Sequence, residues 1–205
     1  MKKCPKKRWP WIVGICVIIA AIVLLLVKCD SSVEAPVSGE PTLIVETPQK
    51  LSASQTEAFT LDVTISTLGD THYPAMSMSI AFDSSRLEFL GVEEGNIFIL
   101  SDENSTGQKL PDWSCNVQNS NDTGFINIMY LDMTGGKNAF SKDLLAEDYN
   151  VVLRLKFRLR GSVRPGDVLD LIVEDAVFAA SDETKSLAMT TDTLKTKNGR
   201  LVIGE

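Results

Sequence analysis

Two carboxylate pairs are the first candidates for chemistry in this chain: Glu93-Glu94 and Glu174-Asp175. Cleaving a glycosidic bond needs two carboxyls about 5–10 Å apart across a cleft, one of them with a raised pKa. Adjacent residues on a strand point to opposite faces, so neither pair serves by itself. Asp102, Glu103 and Asn104, with Asp112 nearby, gather oxygen groups in one polar loop. Calcium takes six to eight converging oxygens, and residues 101–112 show clustering without convergence. His72 precedes Tyr73-Pro74 in a turn, with no Ser or Cys nucleophile motif around it, and reads as a surface histidine. Beyond residue 29 there is one cysteine, Cys115, and the chain holds a single histidine. That count excludes an internal disulfide and a four-ligand Cys/His zinc centre in this part of the chain. No catalytic residue, metal or cofactor is assigned, and the expectation is a non-enzymatic module.

The elements that carry these residues are strands. Phe59 to Ser66, Met76 to Phe82 and Leu153 to Arg160 alternate apolar and polar residues without a miss. Strict alternation marks a strand with one face on a core and one in water. Weaker runs fit at Leu43–Glu46, Leu87–Val92, Trp113–Val117, Phe125–Leu131, Leu169–Phe178 and Leu201–Ile203. Turn signals separate them, among them Asp83-Ser84-Ser85, Asn121-Asp122-Thr123-Gly124 and Arg164-Pro165-Gly166-Asp167. The reading is about nine strands in two packed antiparallel sheets, with Ser141–Asp148 as the one helical candidate. Alternation also assigns faces. Met76, Met78, Ile80 and Phe82 point inward, with Ala75, Ser77, Ser79 and Ala81 outward. Ile126, Ile128 and Tyr130 point inward, with Phe125, Asn127, Met129 and Leu131 outward.

The amino end differs in kind. Residues 1–10 are basic, and Trp11 to Val27 is a run of seventeen residues without a charge. As a helix it spans roughly 25 Å, near the lower limit for crossing a bilayer. The basic flank belongs in the cytoplasm, which exports everything after Lys28. Three fates are open: an uncleaved signal anchor over residues 11–28, a cleaved signal peptide, and a lipoprotein signal with Cys29 as the lipidated residue. The anchor fits best, because no small-x-small cleavage site follows the run and Lys28 stands where a small residue precedes a lipidated cysteine. Residues 29–41, rich in Ser, Pro and Gly, read as a flexible stalk, and residues 42–205 as one domain. The localisation expected is a single-pass membrane protein with its carboxy-terminal domain outside the cell.

Charge is segregated in the same way. Six of the twenty Lys and Arg residues, and no Asp or Glu, lie in residues 1–28. The remainder holds fourteen basic against twenty-seven acidic residues, a net charge of −13. Such a surface disfavours nucleic acid, which needs a basic footprint. One Trp and three Tyr in the domain are few for the coplanar rings on which a polysaccharide stacks.

The order of segments resembles a known family. Ile80-Ala81-Phe82-Asp83-Ser84-Ser85-Arg86-Leu87-Glu88-Phe89-Leu90-Gly91-Val92-Glu93-Glu94-Gly95 is similar to the "YDPxxLEfxxVxxG" segment of cohesin domains. Ile126 to Gly136 resembles the cohesin strand that ends in "D.TGg". Val152–Arg160 with Pro165-Gly166-Asp167, and then Asn198 to Ile203, resemble its long strand and turn and its closing strand. The resemblance runs from about Leu43 to Glu205. It implies a nine-stranded jelly-roll β-sandwich that acts as a receptor for dockerin modules on secreted polysaccharide-degrading enzymes. The chain has no dockerin calcium loop of its own. A carbohydrate-binding module of the same superfamily, and a structural or adhesive surface protein, are the alternative readings.

The resemblance further implies that the strands around Met76–Phe82 and Phe125–Leu131 form the sheet that meets the dockerin. The matching outward positions are Ala75, Ser77, Ser79, Asn127, Met129 and Leu131, with Asp132 at the strand end. The best-known cohesins carry Asn and Asp where this chain has Ala75 and Ser77. In the cohesin strand order, Arg154, Lys156, Arg158 and Arg160 form a stripe flanked by strands that carry Asp62 and Glu88. Cross-strand pairing is then the expected role of that stripe, with an acidic partner as the alternative.

Overall fold

The computed structural model of the protein describes residues 39–48, 50–98, 113–146, 148–181 and 188–205. The basic amino end, the anchor segment 11–28, Cys29, most of the stalk and the loop 101–112 lie outside the described residues. Among the described residues no helix is long and apolar enough to cross a membrane.

Among the described residues, eleven strands form two sheets. They are β1 (Thr42–Val45), β2 (Leu51–Ser52), β3 (Phe59–Ile65), β4 (Ala75–Phe82), β5 (Leu87–Glu94), β6 (Ser114–Cys115), β7 (Phe125–Leu131), β8 (Val151–Leu159), β9 (Val168–Ala179), β10 (Lys195–Lys197) and β11 (Gly199–Gly204). One sheet has the order β10-β1-β3-β8-β5, the other β2-β11-β9-β4-β7-β6. The period-two pattern works as the alternation requires. In β8, Leu153, Leu155 and Phe157 are fully buried while Arg154, Lys156 and Arg158 face out. In β4, Met76, Met78, Ile80 and Phe82 enter the core, as do Ile126, Ile128 and Tyr130 of β7. Phe82, Phe89 and Phe157 meet with ring centroids 5.5–6.5 Å apart. A second aromatic cluster joins Trp113, Tyr130, Phe140 and Phe178.

The strand count and the purely antiparallel pairing expected from the sequence are corrected in the structure. The two additional strands are β2, of two residues, and β10, of three, and both pair in parallel: β2 with β11, β10 with β1. Segments that short carry no visible periodicity, and they become strands only because a longer strand offers them its free edge.

The run Trp113–Val117 is also not one strand. Only Ser114–Cys115 joins the sheet, and Val117–Thr123 forms a helix, α1. Its residues are poor helix formers, so its ends and its packing hold it. The Asn116 side chain accepts from the Asn119 backbone N–H at 3.0 Å, an N-cap. Gly124 closes the helix in the left-handed region (φ 74°), its N–H donating to the Ser120 carbonyl. The Asn121 to Gly124 stretch is thus the end of a helix rather than a hairpin turn. The helical candidate at Ser141–Asp148 contracts to a single 3-10 turn, Lys142–Leu144.

Both edges of the five-stranded sheet are blunted. Asn121 of α1 accepts from the Phe89 N–H at 2.9 Å and donates to the Phe89 carbonyl at 2.8 Å, occupying the open side of β5. The opposite edge is β10, whose Lys195 and Lys197 are exposed. Charge and a covering element are ways of preventing an edge from recruiting another strand.

Candidate docking face

The outer faces of the two sheets differ in chemistry. On the five-stranded sheet, Arg154 Nε lies 2.9 Å from Asp62, Lys156 Nζ 2.6 Å from Glu93, and Arg158 Nη1 3.2 Å from Glu88. Three of the four basic residues of the stripe pair across strands, two with the expected Asp62 and Glu88 and one with Glu93, while Arg160, just past β8, donates from Nε to the Leu87 carbonyl at 3.4 Å. Each such exposed pair contributes about 0.2–1 kcal/mol, and together they leave that face charged and mutually compensated.

The outer face of the six-stranded sheet is different. The exposed large hydrophobics among the described residues are Phe125, Met129, Leu131, Met133, Ile172 and Val202. Five lie on strands β7, β9 and β11 of this sheet, and Met133 lies two residues beyond β7. Met129 and Leu131 are each 57% exposed. No ion pair joins described residues across this face.

The β7-β4-β9 ladders arrange the outward residues in rows. Leu131, Ala75 and Ala179 form one row, and Met129, Ser77 and Val177 the next, with Ser114 of β6 on the far side of Met129. Asn127, Ser79 and Asp175 form a polar row, and Phe125, Ala81 and Ile172 an apolar one beyond it. Six of the seven positions singled out in the sequence, Ala75, Ser77, Ser79, Asn127, Met129 and Leu131, therefore share one contiguous surface. Ser77, Ser79, Asn116, Asn127 and Asp175 line a shallow hollow in it. Cys115 borders the same hollow, half-buried, and burial raises its thiol pKa.

Asp132, the seventh position, has a different setting. One carboxylate oxygen accepts from the Thr134 N–H at 2.7 Å and its hydroxyl at 2.5 Å, and the other accepts from the Gly136 N–H at 2.6 Å. Burial works to raise this carboxyl's pKa, but the bonds from Thr134, Gly136 and Asn138 outweigh it and hold the group below the usual carboxylate range. Asp132 shapes the turn at the rim of the face.

Sequence reasoning did not place Asp175 and Glu174 on this face together. Alternation sends neighbours to opposite sides, but β9 carries a bulge opposite Ser79 and Ile80: Ser79 faces Asp175 and Ile80 faces Val173. Glu174 is the additional residue, and both carboxylates are exposed. The aromatic side chains are mostly committed to packing. Trp113 lies against Tyr130 at 5.2 Å, and Tyr73 and Tyr130 are buried. Phe125 is the one large aromatic ring exposed among the described residues. His72 is exposed, as the sequence implies.

The cohesin-domain family model matches residues 44–197 of this chain. Among solved structures, the sixth cohesin of scaffoldin B from Acetivibrio cellulolyticus, in complex with a mutant Cel5 dockerin, is 16% identical with a TM-score of 0.58. The Coh-OlpA–Doc918 complex from Clostridium thermocellum, described as a novel type I cohesin–dockerin complex, is 18% identical with a TM-score of 0.56. Each comparison covers 80% of this chain and 99% of the other. At these identities the solved structures show the fold. No curated protein sequence matches the chain. With a family model spanning most of the β-sandwich and two sheets of the same architecture beneath it, the chain belongs to the cohesin domain family.

Proposed function

We propose that this protein is a docking receptor that binds dockerin-bearing secreted proteins through the outer face of β6-β7-β4-β9. The observation that carries the reading is the asymmetry between the two outer faces. One is closed by three cross-strand ion pairs, and the other collects the exposed Phe125, Met129, Leu131 and Ile172 around a row of small polar groups. An apolar patch rimmed by hydrogen-bonding groups is the composition of a protein interface. The solved relatives named above were determined with dockerins bound, which agrees with this use of the fold.

Two further parts of the proposal rest on the sequence. The apolar run 11–27 behind a basic amino end supports display on the outer face of a membrane, on a short stalk. The partners proposed are polysaccharide-degrading enzymes, which such a tether would hold at the cell surface. The test is calorimetric titration of residues 38–205, which form one compact unit, with a panel of purified dockerin modules. Saturable 1:1 binding to at least one dockerin is the expected result. A panel in which none binds at 100 μM-scale concentrations, about −5.5 kcal/mol by affinity arithmetic, overturns the reading.

A further inference from the structure

We infer that the bulge-borne pair Glu174 and Asp175 selects the partner of this face: the cognate module seats a Lys or Arg side chain between two apolar contacts. The inference rests on the docking reading and specifies its chemistry.

Asp62, Glu88 and Glu93 have cations across the ladder. Asp83 and Asp167 share Arg86, and Asp70 is paired with Lys142. Asp132 is saturated by its own turn. Asp175 has only a long contact, 3.4 Å, from the Thr191 hydroxyl, and no cation of a described residue pairs with it or with Glu174. Its neighbours in the hollow, Ser77, Ser79, Ser114, Asn116 and Asn127, are neutral. Without the bulge, one of the two carboxylates would point into the core; with it, both stand on the free face. Bulges re-aim side chains in this way.

The surroundings give the partner its shape. Asp175 lies in the row with Ser79 and Asn127. The Met129-Ser77-Val177 row lies two residues to one side, about 7 Å at strand spacing. On the other side lies the row of Ile172, Ala81 and Phe125, with Ile172 on β9 itself just beyond the bulge. A cation seated at Asp175 would thus be flanked by apolar ground on both sides. Partial exclusion of water there makes charge complementarity a stronger discriminator than on an open surface. A neutral or acidic group at the same place would lose hydration without compensation.

The test uses a dockerin that binds in the panel titration. Glu174→Gln/Asp175→Asn and Glu174→Lys/Asp175→Lys variants are titrated with it at low and high salt, with circular dichroism as the folding control. The neutralised variant is expected to bind at least tenfold more weakly at low salt and to lose most of the salt dependence. The reversed variant is expected not to bind, and to recover binding when the contacting Lys or Arg of the dockerin is changed to Glu. Binding by the reversed variant within twofold of the native protein, at both salt concentrations, overturns the inference and leaves the docking reading intact. A panel in which no dockerin binds the native protein overturns both.

Discussion

Asn121 and Phe89 are joined as neighbouring strands would be: the Asn121 amide accepts from the Phe89 N–H at 2.9 Å and donates to the Phe89 carbonyl at 2.8 Å. A side chain on α1 thereby completes the backbone bonding of β5 where the sheet would otherwise stop. Asn121→Ala removes both partners from a backbone unit whose side chain is fully buried. The expected loss is about 1–3 kcal/mol, read by chemical denaturation, with faster amide exchange at Phe89. Asn121→Asp keeps the acceptor but sets a carboxylate oxygen against the Phe89 and Val117 carbonyls, so at neutral pH it should cost at least as much as Asn121→Ala.

Met129 stands between Ser77 and Ser114 on the open face and makes no part of the core. Met129→Arg is expected to weaken dockerin binding at least tenfold, while stability changes by about 0.5 kcal/mol or less, as for surface substitutions. Unchanged affinity in the panel titration would remove this face from consideration.

Gly95 follows β5 where the chain passes directly over β8. A Cβ added there would sit 2.0 Å from the Val151 carbonyl oxygen and 2.6 Å from the carbonyl carbons of Val151 and Val152, all backbone atoms. The same carbonyl of Val151 accepts from the Asn96 and Ile97 N–H groups. Gly95→Ala should therefore cost about 1–3 kcal/mol or more through forced displacement. Gly161→Ala, with nothing within 4 Å, should be neutral or slightly stabilising in the same denaturation series.

The Asp132 turn makes part of the stability depend on pH. Its carboxyl pKa is lowered in the folded protein, so the unfolded chain binds the proton more readily. The contribution is then whole above the unfolded value of about 3.9 and is lost as pH falls through the folded pKa. Asp132→Asn is expected to be less stable at pH 7 by about 1 kcal/mol, since the amide lacks the charge that strengthens these bonds. The gap between the two proteins should close as the medium is acidified through the folded pKa. A constant gap across that range would show that the carboxylate charge plays no part.

The long strands were legible because period-two alternation is a local property. Met76 to Phe82 and Leu153 to Leu159 fall on the faces that their polarity requires, since a one-residue slip would expose their large apolar side chains, and Phe125 to Leu131 keeps the same period with three apolar residues left outward. The pairing of Arg154 with Asp62 and of Arg158 with Glu88 followed once the strand order was supplied by the family resemblance. Helix α1 was obscured because Val117 to Thr123 has neither apolar periodicity nor good helix formers. The cap at Asn116 and the glycine at 124 were its one signal, and they read equally well as turn residues.

Patterning along the chain thus determined that a β-sandwich forms, which side chains enter its core, and that Met129 and Asn127 remain outside. Tertiary structure alone decided what happens between strands. Strands β2 and β10 exist because β11 and β1 offer unpaired edges. The bulge in β9 arises where Val173 and Asp175, rather than consecutive residues, oppose Ile80 and Ser79. The reason is the same in each case: a strand's own alternation sets which side a residue faces, but hydrogen bonding to the neighbouring strand sets where that alternation is allowed to break.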